Sequence, residues 1–180
     1  MEYLTGNLLK LRAPEPEDLD ILYQWENDTS LWESGDTFAP FSRYILHEYL
    51  KTAKEDIYRA KQLRLMISRK SDAETVGMID FTDFDPQNRR SNVGILIFPD
   101  FRQKGYAQEA LKLMINYGFR KLHLHQLYAY INENNSVSIK LFSGCGFKHT
   151  ATLQDWINKY ENNYENVIVM QLISENNQLR

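Results

Sequence analysis

Residues 93–107, VGILIFPDFRQKGYA, join an apolar run to a short basic loop and then to the start of a helix pattern. The apolar part predicts a buried strand that ends before Pro99. From Tyr106 to Leu122 apolar residues recur every three or four positions, which predicts an amphipathic helix. The first turn of a helix carries unpaired backbone N–H groups and a partial positive charge. Because Gly105 would let an anion approach that turn closely, the stretch predicts a phosphate or pyrophosphate site.

The side chains of this loop agree with an anion site. Arg102 and Lys104 add positive charge, and Gln103 and Gln108 add hydrogen-bond donors. Other phosphate loops fit poorly: a Walker loop needs Gly-Lys followed by Ser or Thr, and a dinucleotide fingerprint needs three spaced glycines. Neither pattern is present in residues 93–107.

The periodicity of the remaining chain predicts a mixed α/β fold. Helices are predicted from near Glu17, over 42–59, over 106–122 and over 136–143, and residues 27–40 are predicted to be a loop or a broken helix. Strands are predicted over 8–12, 63–68, 76–84, 92–98, 127–131, 147–150 and 167–173. Early helices, central strands and a final strand-helix-strand unit predict one mixed sheet flanked by helices.

Length and composition predict one globular domain over residues 1–180, with a frayed tail from 174. Lys and Arg total 21 against 24 Asp and Glu, a net charge of -3, which argues against a nucleic-acid surface. Cys145 is the only cysteine, so the sequence predicts no disulfide, no metal site and a reducing cytoplasm. The chain has no signal peptide pattern and no apolar run long enough for a membrane span, while assembly into a homo-oligomer stays open.

Two blocks carry a family resemblance. RQKGYA at 102–107 resembles the Arg/Gln-x-x-Gly-x-Gly/Ala signature of the GCN5-related N-acetyltransferases, or GNAT family. NSVSIKLF at 135–142, followed by Gly146 and Phe147, resembles the family's second conserved block. Within the family, VGMIDFTDF at 76–84, the Arg89-Arg90 turn and LHLHQLY at 122–128 are most similar to spermidine and ribosomal-protein N-acetyltransferases.

The resemblance implies a GNAT fold, a mostly antiparallel sheet whose fourth and fifth strands, here 92–98 and 127–132, splay apart. The co-substrate would be acetyl-CoA, and its thioester arm would pair with the backbone of Ile95, Leu96 and Ile97. Asn135 and Lys140 would contact the coenzyme from the other side. The loop residues implied to hold the pyrophosphate are Arg102, Gln103, Lys104, Gly105, Tyr106, Ala107 and Gln108.

Two positions depart from the family's usual catalysts. Asn92 stands where many relatives have a Glu that relays the amine proton, and Phe142 stands where they have a Tyr acid. An alkylammonium has a pKa of about 10.4, so the amine must lose a proton before it attacks. Three explanations remain open: a water relay to Asp80 or Asp83, catalysis by positioning alone, or a lost activity. On a regular strand Asp80 and Asp83 would face opposite sides.

Acidic and aromatic residues indicate the acceptor. Trp32, Glu33 and Asp36, together with nearby carboxylates, would enclose a cation by ion pairing and cation–π contact. A polyamine such as spermidine is the leading acceptor, with a peptide or ribosomal-protein N-terminus as the alternative. A regulatory module that binds acyl-CoA without turnover is a third hypothesis.

Overall fold

In a computed structural model, residues 2–32, 39–52, 55–160 and 163–175 are described. They form a mixed α/β fold with one seven-stranded sheet in the order β1-β2-β3-β4-β5-β7-β6. Every neighbouring pair is antiparallel except β4 and β5, which run parallel. The strands are β1 (Leu9–Arg12), β2 (Leu63–Arg69), β3 (Thr75–Asp85), β4 (Arg90–Ile97), β5 (Gln126–Asn132), β6 (Lys148–Tyr160) and β7 (Asn163–Ile173).

Helices cover both faces of the sheet. On one face α5 buries Ala110, Leu111 and Met114 against the large core, which includes Phe81 and Val93. On the other face a smaller core joins Leu22 and Leu46 to Met66 and Met78. The helices are α1 (Leu19–Glu26), α2 (Thr29–Trp32), α3 (Arg43–Thr52), α4 (Ile57–Ala60), α5 (Tyr106–Arg120) and α6 (Ser136–Gly144).

The α/β class and the expected splayed strands are confirmed. β4 and β5 pair only at Arg90↔Gln126, Ser91↔Leu127 and Asn92↔Tyr128. Beyond the last pair, β4 continues to Ile97 along β3 while β5 continues to Asn132 along β7. The two strands therefore open a wedge towards their carboxyl ends, beside the start of α5.

Two elements differ from the sequence prediction. The helix expected over 42–59 is two helices, because Asp56 has extended backbone and its side chain accepts a hydrogen bond from the Tyr58 amide, which caps α4 as a separate helix. The strand expected over 147–150 is much longer, since β6 continues to Tyr160 against β7. The residues after 150 are mostly polar, so they show no sustained apolar alternation from which a strand could be predicted. They form a strand because they pair with β7.

Candidate active site

The β4 side of the wedge offers main-chain hydrogen-bonding groups at alternate residues. The Phe98 amide donates to the Val76 carbonyl, and the β3–β4 register therefore pairs Leu96 with Met78 and Gly94 with Asp80 through hydrogen bonds. The main chains of Val93, Ile95 and Ile97 consequently face the wedge. For Leu96 the expected main-chain pairing is corrected, because its N–H and C=O are directed to β3. Ile95 and the N–H of Ile97 remain available, whereas the Ile97 carbonyl accepts a hydrogen bond from Arg102 Nε.

The loop between β4 and α5 presents a run of unpaired amides. Phe101 and Arg102 donate their N–H groups to Phe98 and Pro99, and Glu109 donates to Gly105. Between them, no acceptor in the described part of the chain pairs with the six backbone N–H groups of residues 103 to 108. Their exposed position at the start of a 15-residue helix is an anion site by geometry and by helix dipole.

Gly105 shapes this anion site. It is the N-cap of α5 with φ of 81°, in the left-handed region that favours glycine. A Cβ built on it would meet no atom within 4 Å, so the space beside the amides is open to a ligand. Gln103 also has positive φ, at 60°, so two residues of this loop have left-handed backbone.

The two basic side chains of the loop are partly engaged in shaping it. Arg102 donates from Nε to the Ile97 carbonyl at 3.0 Å, and Lys104 donates from Nζ to the Asp100 carbonyl at 2.9 Å. Both residues are exposed, so the other guanidinium nitrogens of Arg102 are still accessible. The side chains of Arg102 and Lys104 therefore brace the turn, while the main-chain amides of residues 103 to 108 have no partner among the described residues. This bracing could not be predicted from the motif.

On the face covered by α1 and α3, a buried ion network lies near the wedge. Arg64 of β2 binds Asp80 of β3 through Nε–Oδ1 and Nη2–Oδ2 at 2.9 and 3.0 Å, and binds Glu26 of α1 at 2.5 Å. Its guanidinium also lies 5.6 Å from the Tyr49 ring centre. Burial alone would lower the pKa of Arg64, but the charge of Asp80 and its hydrogen bonds outweigh burial and raise it. Asp80 is therefore held as the partner of a permanent cation.

Asp83 is placed differently from Asp80. It is exposed, with φ of 50°, and lies within a register shift between Thr82 and Asp85, so β3 is not regular here. Its carboxylate has no hydrogen bond or ion pair within the described residues. Burial, and then the charge of Asp83, raise the pKa of Tyr128 on β5. Asp83 thus sits close enough to the root of the wedge to influence that phenol.

Asn92 and Tyr128 form the last pair before the strands separate. Asn92 donates from Nδ2 to Thr82 Oγ1 at 2.8 Å. Its Oδ1 is buried and has no hydrogen-bond partner, the one such side-chain atom found among the described residues. Phe142, by contrast, lies in the large core and packs edge-on against Phe147. Sequence reasoning identified Asn92 and Phe142 as departures, but it missed Arg64, Tyr49 and Tyr128.

The remaining expected residues are only partly visible. Trp32 ends α2, and its indole Nε1 donates to the Glu26 carbonyl at 2.7 Å, beside the ion network. Glu33 and Asp36 lie outside the described residues. Asn135 caps α6, since its Oδ1 accepts from the Ser138 amide, and Lys140 is exposed on that helix. The coenzyme contacts expected of Asn135 and Lys140 stay predictions.

The geometry defines a class of protein. An opened sheet with free main-chain groups lies beside a cradle of amides for phosphate, and polar residues gather at the root of the wedge. This arrangement suits an acyltransferase whose donor is a thioester carried on a pyrophosphate-containing arm.

Comparison with known proteins identifies the family. A family model described as an acetyltransferase (GNAT) domain matches residues 9–148, more than half of the chain. The chain belongs to the GNAT family of acyltransferases.

Individual relatives are moderately similar. The uncharacterized N-acetyltransferase p20 of Bacillus licheniformis is 29% identical over 157 residues, covering 87% of this chain and 88% of its own. The spermidine N(1)-acetyltransferase of Escherichia coli K12 is 28% identical over 143 residues, covering 79% of this chain and 74% of its own. The crystal structure of a Vibrio cholerae spermidine N-acetyltransferase with CoA and spermine superposes with a TM-score of 0.83 at 21% identity, covering 93% and 96% of the two chains.

The described residues lack two further kinds of feature, a metal-binding cluster and a membrane-spanning helix. No three His, Cys, Asp or Glu side chains there are grouped as a metal ion would require. None of the helices in that part of the chain is both long and apolar enough to cross a membrane.

Proposed function

We propose that this protein transfers the acetyl group of acetyl-CoA to a primary amine of a polyamine such as spermidine. Acetyl-CoA as the acetyl donor is supported above all by the run of six unpaired amides at 103–108, around the open space at Gly105. These groups fit a pyrophosphate, because they supply several N–H donors and the positive end of a helix at one point. The wedge main chain at Val93, Ile95 and Ile97 would pair with the amide-bearing arm of the coenzyme.

A polyamine as the acetyl acceptor is supported by the negative charge near the wedge. Glu26 and Asp80 supply two carboxylates to the one guanidinium of Arg64, so this cluster has a formal balance of -1. Asp83 adds a carboxylate with no ion pair among the described residues, close enough to Tyr128 to raise its pKa. A face with excess negative charge attracts a polycation and holds its remote ammonium groups. The E. coli and V. cholerae relatives named for spermidine agree with this acceptor. Trp32, Glu33 and Asp36 would extend the same surface.

The reaction forms one bond and breaks another. The amine nitrogen, after losing a proton, attacks the thioester carbonyl carbon, so that a C–N bond forms and the C–S bond breaks. The products are an acetylamide and coenzyme A: the nitrogen gives up a further proton as the amide forms, and the departing thiolate takes up one, so that the general acid is reprotonated by the end of the cycle. We assign the first proton to Asp83 through water, since its carboxylate is unengaged, whereas Asp80 would have to give up two charge-assisted hydrogen bonds to Arg64.

Tyr128 supplies the second proton in this scheme. It is half-buried at the root of the wedge, and its raised pKa keeps the phenol protonated at neutral pH. Phe142, at the position of the family's usual acid, has no proton to give.

The test is an acetyl-CoA assay with an amine panel. Thiol release and the mass of the acetylated product are measured for spermidine, spermine, short diamines and a peptide with a free N-terminus. We expect stoichiometric thiol and acetylamide with polyamines, and acetyl-CoA should raise Tm in the absence of amine. Faster acetylation of the peptide than of any polyamine would contradict the polyamine proposal and indicate a peptide N-terminus as the acceptor. A rise in Tm without turnover on any amine would favour the non-catalytic module and contradict the proposal.

A further inference from the structure

The amide oxygen of Asn92 is an unusual feature of the wedge root. A buried polar atom is almost always hydrogen-bonded, because losing water without gaining a partner carries the full desolvation penalty. Oδ1 of Asn92 has no partner, although the nitrogen of the same amide is fixed 2.8 Å from Thr82 Oγ1. Its neighbour Ser91 is also buried, yet its hydroxyl is satisfied by the Thr82 carbonyl at 2.8 Å. The orphaned oxygen is therefore specific to Asn92.

The position of this oxygen points towards the acceptor side. Asn92 alternates with Val93, whose side chain is in the core under α5, so the Asn92 side chain projects from the opposite face. That face carries Asp80, Thr82 and the Arg64 network. Tyr128, directly paired with Asn92, projects to the same side.

The same pair lies at the closed end of the wedge. β4 and β5 are paired at three positions only, and Asn92↔Tyr128 is the terminal one. Because Oδ1 is buried at this closed end of the wedge, a donor reaches it only when the groups around it move. A donor arriving there would remove the desolvation penalty that the ligand-free chain carries.

We propose that Asn92 Oδ1 accepts a hydrogen bond from an N–H of the acceptor amine and so positions it for attack, once the Asn92–Tyr128 pair has opened. This inference rests on the proposed function and adds the residue that orients the nucleophile. Asn92 carries no titratable group, so it orients the amine without taking its proton. An amine in attack position still has N–H bonds directed away from the thioester, and one of these is the donor.

The test compares two substitutions at adjacent buried positions. Asn92→Leu keeps a similar size and removes the unpaired oxygen together with the Nδ2 hydrogen bond to Thr82 Oγ1, whereas Ser91→Ala removes a satisfied hydroxyl. For Asn92→Leu we expect a Tm close to that of the unaltered protein, because relief of the unpaired oxygen offsets the lost hydrogen bond. We also expect unchanged affinity for coenzyme A and kcat/KM for the amine reduced by about 5- to 10-fold, the effect of one hydrogen bond. For Ser91→Ala we expect a lower Tm and an unchanged KM for the amine.

Each other outcome overturns the proposal. A lower Tm with unaltered kinetics in Asn92→Leu would mean that Oδ1 is satisfied in solution, by water or by Tyr128. A loss of coenzyme A affinity would assign the donor to an amide N–H of the coenzyme arm. An unaltered kcat/KM with an unaltered Tm would show that no donor uses the oxygen. All three are distinct from failure of the proposed function, in which the unaltered protein itself acetylates no amine.

Discussion

At the scale of single residues, the chemistry of the site depends on which polar groups are left unengaged. Asp80 and Asp83 are equivalent candidates in the sequence, but Arg64 engages one and leaves the other free. No spacing rule along β3 predicts this, because Arg64 comes from the neighbouring strand through the β2–β3 register. The prediction that Asp80 and Asp83 face opposite sides assumed a regular strand. The register shift after Thr82 shows that β3 is not regular at Asp83.

Replacing Asp83 by Asn should lower kcat on the order of 10²-fold, because the water-mediated proton acceptor is lost. The loss should be smaller at high pH, where more of the amine is already neutral. Rates measured from pH 6 to 10 check this. Asp85→Asn is the control, since Asp85 lies two residues further along β3 and accepts hydrogen bonds from Asn88. Equal pH profiles for Asp83→Asn and the unaltered protein would exclude Asp83 as the base.

Gly105 offers a second residue-level prediction. A Cβ there should weaken coenzyme A binding about tenfold, because relieving the left-handed backbone moves the amides of the cradle and costs a charge-assisted hydrogen bond. Titration calorimetry of Gly105→Ala measures the change. Gly144→Ala is matched to it, since a Cβ at Gly144 also meets nothing within 4 Å, but its φ is not positive. Its affinity should be unaltered, and an equal loss in both variants would argue against the cradle.

At the scale of elements, the segment before α1 is fastened to the sheet by one ion pair. Arg12 of β1 donates two hydrogen bonds to Asp18, at 2.6 and 2.7 Å, and a third to Thr75 of β3. Burial would raise the pKa of Asp18, but the bonds from Arg12 and from the Glu15 amide outweigh it and lower the pKa. The pair thus fixes where α1, and with it Glu26, lies over the sheet.

The sign of the resulting pH dependence follows from the lowered pKa. The stability that Asp18 contributes is complete above its unfolded pKa of about 3.9, and it is lost as the pH falls below that towards the folded value. Denaturant unfolding of Asp18→Asn should therefore show a lower free energy of unfolding at pH 7 and a flatter decline in that acid range. Asp72→Asn is the comparison variant, because Asp72 is an exposed carboxylate that pairs with Arg69. Its free energy of unfolding at pH 7 should fall less than that of Asp18→Asn. A decline as steep as in the unaltered protein would contradict this role for Asp18.

At the scale of the whole molecule, the network of Glu26, Arg64 and Asp80 joins the helical layer to the sheet. The three side chains are between 15% and 18% exposed, so their charges are poorly solvated. Removing the guanidinium would leave two carboxylates close together with no cation between them. Such a break in a buried pair costs about 3–5 kcal/mol.

Arg64→Met should accordingly lower the free energy of unfolding by about that amount, as measured by urea unfolding at pH 7. Arg43→Met is the matched control, because Arg43 pairs with Asp20 across an exposed surface, where solvent screens the pair and its removal costs little. A loss in Arg64→Met no larger than in Arg43→Met would show that the network does not hold the two layers together.

The amino-acid sequence was enough to predict the fold class and the family, because these depend on local patterns, and the family resemblance in turn implied the splayed strands. Apolar periodicity decides which residues form strands and helices, and the order Arg102 to Ala107 is a contiguous signature whose amides lie together wherever a helix begins after such a turn. The tertiary structure alone decided which carboxylate is free, which β4 amides face the wedge, and that Asn92 keeps an unpaired oxygen. Those properties arise from register and packing between residues far apart in the chain, and no local pattern encodes them.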